Sequence, residues 1–204
     1  MAPSSSAAAR QAPVTGQIVV LGLGNPLLED DGAGLALLEL LRERGQWPDA
    51  VELVDGGTWG LSLLPVICDA DRLLVLDAVR TGAPAGTVLR GEGEAVPRLY
   101  QRLVSPHQID LREVLAAAVL LDQLPTELTV VGIEPERTEG LRVGLTPVVE
   151  AALDVAVLEA VRVLDDWGVG CLHDGRAAGA KGGGVHARAV DQPGDRRGGA
   201  PACR

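Results

Sequence analysis

IVVLGLGNPLLEDDGAG, residues 18–34, decides how the chain is read. Ile18–Leu21 is a short unbroken apolar run, the pattern of a strand covered on both faces. Gly22 and Gly24 open a turn, and that turn delivers Glu29, Asp30 and Asp31 to the start of a helix. Like charges so close raise each other's pKa unless something positive neutralises them. The stretch is therefore a candidate site and not a plain connection.

The alternation continues downstream. Strand candidates are Ile18–Leu21, Val51–Val54, Leu73–Leu76, Thr87–Leu89 and Leu128–Ile133, each short, apolar and bounded by turn residues. Helix candidates lie between and after them: Gly34–Arg44, Leu61–Cys68, Gln108–Leu121 and Pro147–Asp166. In the first, Leu35, Leu38 and Leu41 form the stripe that Leu37 and Leu40 widen; in the third, Leu111, Val114, Leu115, Ala118 and Leu121 share a face. Thr146 is placed as N-cap of the last helix, with Pro147 at its first position. The expected fold class is α/β: a single three-layer domain whose mostly parallel twisted sheet carries helices on both faces. The link from Leu76 to Thr87 is too short for a crossover helix, so one strand there can be antiparallel.

Composition bounds the rest. The 204 residues suffice for one domain with a sizeable core. The expected domain is residues 15–167, preceded by a flexible extension, 1–14, and followed by a Gly/Ala/Arg-rich tail, 168–204. The tail has ten glycines and no apolar periodicity, so disorder is expected. Net charge is −10, with −14 on residues 15–167 and +3 on the tail. An acidic body argues against nucleic-acid binding, which needs clustered Lys and Arg. No apolar run reaches the ~18 residues of a membrane span. The N-terminus lacks the apolar centre of a secretory signal, and the expected location is cytoplasmic. Cys68, Cys171 and Cys203 form no C-x-x-C pair, which removes zinc-ribbon and thioredoxin readings. Cys68 is expected in the core.

In parallel α/β sheets ligands bind at the carboxyl ends of the strands. Asp31 follows the first strand, Asp55 ends the second and Asp77 ends the third, so all three should face one rim. His107, in SPHQID, is the body's one histidine; His173 and His186 lie in the tail, where no role is expected for them. Asp31, Asp77 and His107 together suit a borderline divalent ion such as nickel or zinc, although their spacing fits no consecutive ligand motif. Taken singly, each is equally at home as a cap, loop anchor or locally bonded imidazole. The dinucleotide fingerprint G-x-G-x-x-G fails, because Leu27 stands at its third glycine and Pro26 has no N–H for phosphate. Peptidyl-tRNA hydrolases also carry a GLGNP turn, but LLEDDGAG replaces the tyrosine and the T-R-H-N segment that follow it there.

Six blocks in order resemble the hydrogenase maturation endopeptidases, which process the large subunit of nickel-iron hydrogenases. They are GLGNPLLEDDGAG (22–34), DGGTWGLSLL (55–64), LLVLDAV (73–79), SPHQIDLREVL (105–115), VVGIEPE (130–136) and GLTPVVEAAL (144–153). The resemblance implies a twisted sheet of about five strands flanked by helices. It also implies a metal-binding cluster of Asp31, Asp77 and His107 that acts catalytically through the metal. The first position is Glu in several members; Asp here is shorter by one C–C bond, ~1.5 Å, and Glu29 and Asp30 are alternatives for it. The implied activity is removal of a C-terminal extension from the large-subunit precursor after nickel insertion, by a protease that acts as a monomer. Nickel is implied to be supplied by the substrate, with zinc or cadmium able to occupy the site. Asp55 is a candidate to position a substrate-specificity loop, with Gly56, Gly57 and Thr58 letting backbone approach the extended substrate tail; the alternative is an Asp-Gly turn with no substrate contact. Trp59 is a candidate anchor for the precursor, with core packing the other option. Ser62, Ser105 and Cys68 show no nucleophile signature. A nickel-binding scaffold without peptidase activity, or a metal-dependent peptidase with another substrate, are the competing functions.

Overall fold

The inner strands are apolar at nearly every position, and the reason is that helices cover both faces of the sheet they form. The computed structural model describes residues 16–100, 106–170 and 188–189. Its strands are β1 (Ile18–Leu23), β2 (Val51–Gly57), β3 (Arg72–Ala78), β4 (Val88–Glu92), β5 (Glu127–Ile133) and β6 (Arg188–Ala189). Its helices are α1 (Ala33–Arg44), α2 (Leu64–Asp69), α3 (Val96–Leu99), α4 (Pro106–Leu120), α5 (Pro147–Glu150) and α6 (Leu153–Asp166), with 3-10 turns at Glu29–Gly32, Gly60–Leu63 and Gly93–Ala95.

The strand order is β2-β1-β3-β5-β4-β6. β1 pairs in parallel with β2 and β3, and β3 in parallel with β5. β4 runs antiparallel to β5, as the short β3–β4 link requires. Successive side chains alternate between two cores. Ile18, Val20, Leu74, Leu76, Val131 and Ile133 meet α1 and α6 on one face. Val19, Leu21, Leu73, Val75 and Val130 meet α2, α4 and Tyr100 on the other. From β1 the chain first goes outward to β2, then returns past β1 to β3. The order of strands therefore reverses between β1 and β3, and that switch opens a crevice at their carboxyl ends.

Four details depart from the sequence reading. The helix expected over Leu61–Cys68 begins as a 3-10 turn, because Pro65 has no N–H to bond back to Leu61. The helix expected over Pro147–Asp166 is two, α5 and α6; at their junction the Ala152 N–H bonds the Val149 carbonyl three residues back, a local tightening. Thr146 stands at the N-cap, but its hydroxyl caps nothing and donates instead to Asp30. Leu121, expected on the buried face, lies past the end of α4 and is exposed.

At the far end, Gly168 takes φ +83° and the chain turns so that Val169 is fully buried, so the packed body runs past Trp167. Arg188–Ala189 adds two residues in parallel to the edge of β4. Residues 1–15, 171–187 and 190–204 lie outside the described residues, and with them the expected flexible extension, the rest of the expected disordered tail, and His173, His186, Cys171 and Cys203. Cys68 is a free thiol packed at the margin of the α4-side core.

Candidate active site

The site is built on the reversal after β1. Gly24 has φ +125°, and a Cβ there would stand 1.8 Å from the Asp31 carbonyl oxygen. Only glycine lets the acid turn fold back against the strand end. Asn25 then closes the loop three ways. Its side-chain oxygen accepts the Leu27 N–H at 3.0 Å, its carbonyl accepts the Leu28 N–H at 3.0 Å, and its own N–H donates to Asp31 Oδ2 at 2.9 Å. Gly34 lets α1 settle onto the sheet, where a Cβ would lie 2.2 Å from the Leu76 carbonyl oxygen and 2.4 Å from that of Leu23. The start of α1 is thus held against the ends of both β1 and β3.

The three consecutive acids are all buried and have separate surroundings. Glu29, at φ +50°, places its carboxylate 3.2 Å from Arg137 Nε and 3.4 Å from Arg142 Nε. Asp30 accepts four hydrogen bonds: from the N–H groups of Glu136 and Arg137, each at 2.9 Å, from the Thr146 N–H at 2.7 Å and from the Thr146 hydroxyl at 2.9 Å. Asp31 is oriented by the Asn25 N–H toward the crevice loop. The positive partners that a crowded acid triplet calls for are therefore largely the protein's own. Glu29 and Asp30, the alternatives for the first ligand position, are both engaged in holding the 134–146 loop. Asp31 is held by the reversal after β1 itself, through the Asn25 N–H.

Asp77 sits near the carboxyl end of β3, one residue beyond Leu76, which is paired with Gly22. It is fully buried, and its Oδ1 accepts the Ala78 N–H at 2.8 Å. Alternation along β3 assigns it to the face of Leu73 and Val75, the face that α4 covers. Tyr100, almost wholly buried, lies beside it. Burial, and after it the Asp77 carboxylate, push the Tyr100 phenol well above its usual pKa. α4 ends where β5 is about to start, so its first turn, which contains position 107, lies at the carboxyl rim on that same face. The side chain of His107 is outside the described residues. Among the described residues no group of three or more His, Cys, Asp and Glu side chains is placed to hold a metal ion.

Asp55 is exposed two residues before the end of β2, which runs on to Gly57 past the end expected from sequence. Gly56 is buried, and a Cβ on it would lie 2.6 Å from a Leu21 methyl; Gly57 has φ +41° and accepts the Gly24 N–H at 3.1 Å. The Asp-Gly-Gly-Thr segment therefore borders the reversal that carries Asp31. Thr58 and Trp59 are exposed, which removes the core-packing option for Trp59.

Two residues have structural roles that sequence reasoning does not give. Asp30, there only an alternative to Asp31, clamps the 136–146 loop. Glu134, 3% exposed, accepts the Thr81 N–H, the Thr81 hydroxyl and the Gly82 N–H at 2.7, 2.8 and 3.2 Å, and so ties the β3–β4 link to the end of β5. The available signal was a carboxylate directly after a buried strand, which marks a loop anchor as often as a site.

The sequence model of the HycI family, hydrogenase maturation protease, matches residues 35–163. The hydrogenase 2 maturation protease of Escherichia coli K12 is 41% identical over 155 residues, covering 75% of this chain and 93% of that protein. The hydrogenase expression/formation protein HupD of Rhodobacter capsulatus is 38% identical over 154 residues, 75% of this chain and 73% of that one. The solved structure of the hydrogenase maturating endopeptidase HybD from E. coli superposes with a TM-score of 0.74 at 38% identity, covering 78% of this chain and 98% of that one. With the fold, the six sequence blocks and these relatives in agreement, the chain belongs to the hydrogenase maturation protease family, whose members are endopeptidases.

Proposed function

We propose that the enzyme removes the C-terminal extension of a nickel-iron hydrogenase large-subunit precursor after nickel has been inserted, and that it recognises the nickel carried by that substrate through Asp31, Asp77 and His107. The observation that carries this is the pair of fully buried carboxylates, Asp31 and Asp77, on either side of the β1/β3 switch point. Asp31 Oδ2 accepts the Asn25 N–H and Asp77 Oδ1 accepts the Ala78 N–H, which orients both carboxylates at that rim. Position 107 begins the helix that borders the same rim.

Two carboxylates and an imidazole suit nickel, and zinc or cadmium can take its place. Three protein donors do not close a coordination sphere, so the remaining positions fall to the precursor. When the precursor is bound, its nickel supplies a Lewis acid for the scissile carbonyl or for an attacking water. The chain's own part is to hold that centre and align the peptide. Asp31 and Asp77 present fixed oxygens, and the Asp55–Thr58 backbone borders the path of the extension. The reading also gives a monomer acting in the cytoplasm on a single protein substrate; no helix among the described residues is long and apolar enough to cross a membrane.

The test is to mix the purified enzyme with nickel-loaded precursor and follow loss of the extension by intact mass, with Asp77→Asn alongside. Cleavage by the wild type and at least a hundredfold slower cleavage by the folded variant is the expected result. A folded wild type that binds this precursor and never cuts it overturns the proposal in favour of a scaffold.

A further inference from the structure

The rim loops that frame the acids also expose large apolar side chains. Leu27 is 51% exposed, Leu141 86% and Val143 76%; on the neighbouring rim loop, Trp59 is 60% exposed. The first three belong to one unit. Leu28 and Arg142 form a parallel bridge, the Arg142 N–H bonds the Leu27 carbonyl at 2.9 Å, and the Glu29 N–H bonds the Arg142 carbonyl at 2.9 Å. Gly24 to Gly57 joins this unit to the loop of Trp59.

Slack does not explain the exposure. The 136–146 loop is held at both ends by Asp30 and pressed by the Glu29 pairs with Arg137 and Arg142. A rigid loop that keeps Leu141 and Val143 in water shows apolar surface that a partner can cover without an ordering cost. Its charge is mixed: Arg137 and Arg142 are each more than half exposed, and Glu136 and Glu139 are exposed in the same loop above the buried Glu29.

We infer that Leu27, Leu141 and Val143, flanked by Arg137 and Arg142 and continued by Trp59, form the surface on which the folded precursor docks. This rests on the proposed function. The occupant follows from continuity. The loop bearing the lip is anchored to Asp30, the neighbour of Asp31, so a substrate that brings its nickel to Asp31 and Asp77 must lie against the lip. The complementary patch on the precursor is apolar, beside the segment to be cut.

A built-in control lies at the other end of the sheet, where Leu120, beyond the reach of a substrate at the rim, is 87% exposed at the end of α4. The experiment measures equilibrium binding of nickel-loaded precursor, and separately KM and kcat, for the wild type, the Leu141→Ser/Val143→Ser double variant and Leu120→Ser. Because all three side chains are solvated, folding stability should stay within experimental error. The double variant should raise Kd and KM about tenfold, as loss of an interface anchor does, with kcat within about twofold; Leu120→Ser should change neither. Kd and KM unchanged in the double variant overturn the docking surface while leaving the protease intact. Binding weakened by the double variant with no cleavage by the wild type supports the surface and removes the protease reading. Concentration-dependent self-association of the wild type that the double variant abolishes assigns the lip to a second copy and overturns the inference.

Discussion

Asp30 should be the most costly single carboxylate to remove from this protein, and the reason lies in what its four donors can do without it. The side chain is wholly buried and accepts bonds of 2.7–2.9 Å from Glu136, Arg137 and twice from Thr146. Hydrogen bonds to a charged group contribute about 1.5–3 kcal/mol each. The four do not count equally. Glu136 and Arg137 are exposed, and their N–H groups can turn to water. Thr146 is 2% exposed, so its N–H and hydroxyl lose their partner with nothing to replace it. Counting those two bonds, and offsetting the relief of no longer burying a charge, Asp30→Ala should cost about 3–4 kcal/mol. Asp30→Asn keeps one acceptor oxygen but turns an NH2 toward the donors, and should cost about 2 kcal/mol by the same reckoning. Urea unfolding followed by tryptophan fluorescence measures both, with Trp167 as a buried reporter. Limited proteolysis should show new cleavage within 136–146 in both variants. A loss below about 1 kcal/mol for Asp30→Ala, or an Asp30→Asn protein equal to wild type, refutes the clamp.

Tyr100 is the only tyrosine in the chain, so absorbance at the tyrosinate band reports it alone. Its folded pKa lies well above the usual value, through burial and then Asp77; the stability it contributes is complete below about pH 10, the unfolded pKa, and is lost as pH rises toward the folded value. Tyrosinate should therefore appear only together with alkaline unfolding, and ionisation near pH 10 in a protein that keeps its tertiary fluorescence refutes this. Gly34→Ala gains about 1 kcal/mol of helix propensity, but its Cβ meets two strand carbonyl oxygens and cannot be relieved by a side-chain move. A net loss of about 3 kcal/mol lowers Tm by roughly 6–12 °C, and a calorimetric scan with no drop sinks the close-approach argument. Glu159, buried, is shared by Arg90 at 3.2 Å and Arg162 at 3.0 Å. Arg90→Ala should cost about 2 kcal/mol, because one cation remains, and clearly less when Glu159→Gln is already present; a double-mutant cycle showing no coupling counts against it.

The layout of this domain was legible because its strands are covered on both faces. Unbroken runs such as Leu73–Leu76 can only be inner strands when Gly, Asp or Pro closes them within a few residues. The antiparallel β4 followed from link length alone, since ten residues cannot hold a crossover helix and its loops. Element junctions were less legible. The α5/α6 break depends on one N–H choosing a carbonyl three residues back, and Leu121 depends on where the last turn of α4 stops. Such choices are settled by tertiary packing, and periodicity does not record them.

The acid triplet shows why the site was only partly legible. Sequence locates the charge but not the donors that meet it. Those donors come from residues 134–146, more than a hundred positions away, and no local spacing announces that Glu136, Arg137 and Thr146 converge on Asp30. The triplet looked like three candidate ligands competing for one place. The structure gives each a different environment: Glu29 meets guanidinium groups, Asp30 meets backbone and hydroxyl donors, and Asp31 meets the Asn25 N–H of its own reversal. This division has a chemical use. An aspartate reaches less far than a glutamate, so Asp31 can serve a shared cation only if the loop bearing it is set close and held still. Asp30 and Glu29 supply that constraint from one side, and the absence of a Cβ at Gly24 and Gly34 permits it from the other. On the proposed function, two of the three acids act as the mounting for the third, and a variant that frees the mounting should weaken Asp31 without touching it.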